Sequence, residues 1–77
     1  MNIALEQADS ALTAAQQLIE AGQLAEALTH LETAIAGFER AGESYGLIIA
    51  LKVASETNRD LGHLETSLEQ VKRAHGV

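Results

Sequence analysis

The sequence predicts an all-α fold: four helices arranged as two antiparallel hairpins. Three observations lead to this. Apolar residues recur at intervals of three and four, and alternation by two is absent. Glycines punctuate the periodic stretches, most plainly at Gly22 and Gly62. No proline interrupts the pattern, and 21% charged residues without proline argue against a disordered tail.

The first helix falls near 3–21, with Leu12, Ala15, Leu18 and Ile19 on one face and Gly22 just past its end as a stop. The second falls near 24–40, where Leu24, Ala27, Leu28, Leu31, Ala34, Ile35 and Phe38 make one amphipathic stripe. The third, near 44–61, carries Leu47, Ile48, Leu51, Ala54 and Leu61 and ends at Gly62. The fourth, near 64–75, carries Leu64, Leu68, Val71 and Ala74. Links of two or three residues join the first helix to the second and the third to the fourth, and links that short force antiparallel neighbours.

At 77 residues the chain is one domain, spanning 1–77. A chain this size hides roughly three-fifths of its unfolded surface, enough for one thin core. Hydrophobic residues make up 47% but aromatics only 3%, so alanine, leucine and isoleucine must build that core. With no cysteine, disulfides and thiolate metal sites are excluded. A net charge of −6 opposes nucleic-acid binding. Residues 1–39 hold Glu6, Asp9, Glu20, Glu26, Glu32 and Glu39 and no cation, whereas all five basic residues lie beyond them, so one end should be acidic and the other neutral. The N-terminus lacks the pattern of a signal peptide, and no apolar run approaches the twenty or so residues of a membrane span, so a cytoplasmic protein is expected.

A shift of 40 residues superimposes the hairpins. Gly22 meets Gly62, Leu24 meets Leu64, Leu28 meets Leu68, Leu31 meets Val71 and Ala34 meets Ala74, defining a repeat over about 3–41 and another over about 43–77. Gly22, Ala27, Leu31 and Ala34 fall where the tetratricopeptide repeat places its helix-ending glycine, small contact residue, large apolar residue and alanine. Gly62, Ser67, Val71 and Ala74 repeat the pattern less closely. The chain thus resembles a two-repeat member of that family with long helices. It departs from the family in its period of 40 and in lacking the early tryptophan, the first-helix tyrosine and the closing proline. The resemblance implies a short right-handed solenoid of stacked hairpins, with a concave groove lined by the first helix of each pair.

Chemistry is poorly represented. His30, His63 and His75 lie on different elements without the three- or four-residue spacing of a helical metal face. His30 is followed by Glu32 where a phosphotransfer histidine wants a cation. Asp9-Ser10-Ala11 has the wrong position and third residue for a carrier serine and reads more simply as a helix cap. No phosphate loop, nucleophile elbow or isolated carboxylate pair is present, so no enzyme activity, metal or cofactor is expected.

A protein–protein interaction module is the expected function: a small adaptor or scaffold binding a peptide or partner helix. The resemblance places Leu12, Gln16, Ile19, Ile49, Lys52, Glu56 and Arg59 in the groove, together with Asp9, Glu20 and Asp60. Lys52, Glu56 and Arg59 share one helical face, and the two cations would suit acidic groups on a ligand. A self-associating structural module is the first alternative, and a carrier or phosphotransfer domain using Ser10 or His30 the second. Two repeats leave helix faces uncovered, so a homodimer is expected. Ile3, Leu5, Ala8, Ala11 and Leu12 mark the first helix as the uncovered one, while Glu65, Glu69, Lys72 and Arg73 make the last helix the polar cap.

Overall fold

The computed structural model describes residues 2–76 and is all-helical, with α1 (Ile3–Glu20), α2 (Leu24–Ala41), α3 (Ser44–Asp60) and α4 (Leu64–Gly76). Every helix end lies within one residue of the position its apolar stripe and glycine stop imply. One motif makes all three turns. The amides of Gly22 and Gln23 donate to the carbonyls of Ile19 and Leu18; those of Gly42 and Glu43 donate to Glu39 and Phe38; those of Gly62 and His63 donate to Arg59 and Asn58. This pairing returns the last free carbonyls of a helix to the chain just past it, and it requires a left-handed residue, which is glycine each time. The residue after each glycine then opens the next helix. Its carbonyl accepts the first helical bond, from Ala27, Leu47 and Ser67 respectively. Links of this kind, three residues after α1 and α3 and two after α2, reverse the chain and leave no slack.

Consecutive helices pack together: α1 on α2, α2 on α3 and α3 on α4. α1 only grazes α3, and α1 and α4 do not meet. The hairpins therefore stack in an open array, 37 × 28 × 13 Å, rather than closing into a ring of four. The core runs through the middle of the stack as Ala8, Ala11, Ala15, Ala27, Leu31, Ala34, Ile35, Phe38, Ala50, Leu51 and Ala54. Its many alanines let the helix axes come close, and Phe38, Leu31 and Leu51 are its largest fully buried members.

Two glycines that look like punctuation in the sequence are helix-interior contact points. A Cβ on Gly37 would fall 2.8 Å from Ala8 Cβ and 2.9 Å from the Ala4 carbonyl oxygen, so α1 and α2 touch there with no side chain between them. Gly46 lies under the Phe38 ring, 2.6 Å from Cδ1 to where its Cβ would be, and seats α3 on α2.

Caps also differ from expectation. Asn2, not Asp9 or Ser10, caps α1, accepting from the Leu5 amide at 3.1 Å, and Asp9 and Ser10 are exposed within the helix. Glu43 caps α3 through the Gly46 amide at 2.5 Å.

The uncovered face is also on the other end. Ala8 and Ala11 are buried, and Leu5 and Leu12 pack against the core, which leaves Ile3 as the strongly exposed apolar residue of α1. α4, with α3 as its only helical neighbour, exposes Leu64, Leu68 and Val71.

Candidate functional site

α3 is the central helix and has two flanks. Its buried side, with Gly46, Ala50, Leu51 and Ala54, faces α2. On the opposite side Lys52, Glu56 and Arg59 form an exposed crest, as their spacing implies. A groove runs along each side of that crest.

The groove toward α1, about 460 Å³, is lined by Gln16, Ile19, Glu20, Val53, Glu56, Thr57 and Asp60. Half-buried Ile19 and Val53 supply its apolar surface. The Thr57 hydroxyl donates to the Val53 carbonyl at 2.9 Å and is turned into its own helix. The polar groups left to a ligand are the Gln16 amide and three exposed carboxylates. No cation stands among them.

The groove toward α4, about 410 Å³, is lined by Ile48, Lys52, Ser55, Glu56, Arg59, Val71, Ala74 and His75. The Ser55 hydroxyl is spent on the Lys52 carbonyl at 2.8 Å, which leaves Lys52, Glu56, Arg59 and His75 around an apolar floor. The residues expected in one groove are thus divided. Gln16 and Ile19 lie on the α1 side and Lys52 and Arg59 on the α4 side, with Glu56 shared. Leu12 packs against the core, and half-buried Ile49 lies outside both linings.

Val53 and Thr57 are not marked by the sequence pattern, and Ile48, Val71, Ala74 and His75 stand out there as stripe residues or a dispersed histidine rather than as groove lining. Apolar spacing shows which face of a helix is buried, but not how far each neighbour wraps round it. These residues sit where that wrap ends.

The histidines are dispersed. His63 Nδ1 lies 3.0 Å from Asn58 Oδ1, and the Asn58 amide group donates to Gln70 Oε1 at 2.9 Å. With Nδ2 committed to Gln70, Asn58 Oδ1 accepts, so His63 donates. This chain of three side chains ties the α3–α4 turn to α4. Ser10 and His30 share a shallow depression with Glu6, Gln7, Ala11 and Ala14, and both are exposed. Among the described residues no group of three histidines or carboxylates is placed to hold a metal ion. No helix among them is long and apolar enough to cross a membrane.

Comparison with known proteins finds no matching family, no matching curated protein and no matching solved structure.

Proposed function

We propose that the chain is a protein–protein interaction module whose α1–α3 groove receives a basic segment of another protein. The observation that carries this reading is the lining of that groove: Ile19 and Val53 on the floor, with Glu20, Glu56 and Asp60 on the walls. A carboxylate only accepts hydrogen bonds, so the ligand must bring the donors, and lysine or arginine does so with matching charge. The apolar floor gives such a segment something to bury, which exposed ion pairs alone do not. The net charge of −6, concentrated in α1 and α2, raises the approach rate of a cationic partner and makes it salt-dependent.

The groove lies between the first helices of the two hairpins, as in tetratricopeptide arrays. Gly22 in its left-handed turn and buried Ala27, Leu31 and Ala34 support reading the chain as a two-repeat relative of that family, a small adaptor. Selection from a random peptide library on the immobilised protein tests this. Enriched peptides should combine lysine or arginine with large apolar residues and should lose binding to Glu56→Lys/Asp60→Lys. Enrichment of acidic peptides, or equal binding by that variant, would overturn the assignment.

A further inference from the structure

α4 presents an apolar stripe that none of the described residues covers. Leu64 is 65% exposed, Leu68 56% and Val71 37%, and Leu61 at the end of α3 continues the line. Their counterparts one repeat earlier are Leu24, Leu28 and Leu31, where Leu31 is fully buried and the other two are half-buried. The difference is that α3 lies against α2, whereas among the described residues the backbone of α4 packs only on α3. The stripe therefore has the spacing and position of a helix-docking surface, and the charges around it identify what docks.

The charges of α4 are ordered along its axis: Glu65 and Glu69 in its first half, Lys72 and Arg73 in its second. Arg73 is turned away, paired with Glu39 of α2. Glu65 and Lys72 are seven residues apart, nearly two turns, and so lie on the same flank of the stripe, about 10 Å apart along the axis. Turned end for end, the same helix sets its Lys72 beside Glu65 and its Glu65 beside Lys72. A parallel copy would oppose like charges. The alternative, a second copy continuing the stack with its own α1, would set the leucines against a surface of Glu6, Gln7, Ser10, Ala11, Ala14 and His30, which offers alanines but no larger apolar side chain.

We infer that α4 is a homodimer interface, in which Leu64, Leu68 and Val71 of two copies meet across a two-fold axis with the helices antiparallel and Glu65 paired with Lys72 of the second copy. A two-fold contact is self-complementary and closes at two chains. It leaves the α1–α3 groove of each copy open, so the inference holds whatever fills that groove. One helix from each copy makes an interface below the usual 800 Å² or so per partner, which places the dimer in the micromolar range or weaker.

Sedimentation equilibrium across about 10 µM to about 1 mM reads this directly. The parent chain should follow a monomer–dimer equilibrium that saturates at two. Leu68→Glu, at an exposed position that leaves the helices intact by circular dichroism, should remain monomeric. Glu65→Lys and Lys72→Glu should each weaken the dimer about tenfold, and the double exchange should restore it. A monomeric parent, growth beyond two chains with concentration, a dimer retained in Leu68→Glu, or no restoration by the double exchange would each overturn the inference.

Discussion

Replacing Gly37 with alanine tests the packing of the first hairpin, because two effects of opposite sign compete there. Gly37 is inside α2, and an alanine at an ordinary helix position is favoured over glycine by about 0.5–1 kcal/mol. Here the new methyl would stand 2.8 Å from Ala8 Cβ and 2.9 Å from the Ala4 carbonyl oxygen, whereas ordinary contact begins near 3.4 Å. Neither neighbour can rotate away, since one is a methyl fixed to the backbone and the other is backbone. The helices must move apart, which loosens the alanine contacts along α1 and α2. Overpacking of this kind costs about 1–3 kcal/mol, so the net effect runs from about zero to a loss of about 2.5 kcal/mol. For a domain of this length that lowers the thermal midpoint by up to roughly 20 °C. Thermal unfolding by circular dichroism measures it, with Gly76→Ala as the control, since nothing lies within 4 Å of a Cβ there. A midpoint raised in Gly37→Ala would refute the close approach of α1 and α2 and the core built on it.

Two further substitutions probe the stack. Ala27→Leu, at a fully buried position, should destabilise by about 1–3 kcal/mol through overpacking, read as a lower urea midpoint at unchanged slope. Asn58→Ala should cost about 1–3 kcal/mol, because it strips His63 and Gln70 of their shared partner, and the loss should appear as faster amide exchange at the α3–α4 turn.

The helices and their limits were legible because α1, α2 and α3 each end on the same device. A glycine that follows an apolar stripe is a strong local signal, and no tertiary contact is needed to read it. The second hairpin was legible for the same reason, through Gly62, Leu64, Leu68 and Val71. Glycine marks both a turn and a close approach, and the sequence alone does not say that Gly37 and Gly46 are contact points; the Ala8 methyl and the Phe38 ring do. The uncovered face was assigned to the wrong end because both end helices are amphipathic. Whether an apolar residue such as Leu12 or Leu68 is covered depends on which neighbour reaches it, and α1 turns its stripe inward onto α2 while α4 has only α3. The candidate groove was legible in part: Gln16, Ile19, Glu20, Glu56 and Asp60 were named. The division of Lys52 and Arg59 from Ile19 was not, because spacing puts residues on one face without saying which neighbour each flank looks toward.

The central claim is that a basic, partly apolar segment binds between α1 and α3. Backbone amide chemical shifts, recorded while a library-selected peptide is titrated into the protein, test it most directly. The account predicts that the largest changes fall on Gln16, Ile19, Glu20, Val53, Glu56, Thr57 and Asp60, that they shrink as salt is raised, and that they vanish in Glu56→Lys/Asp60→Lys. Changes centred instead on Ile48, Lys52, Arg59, Val71 and His75, on the other flank of α3, would contradict it.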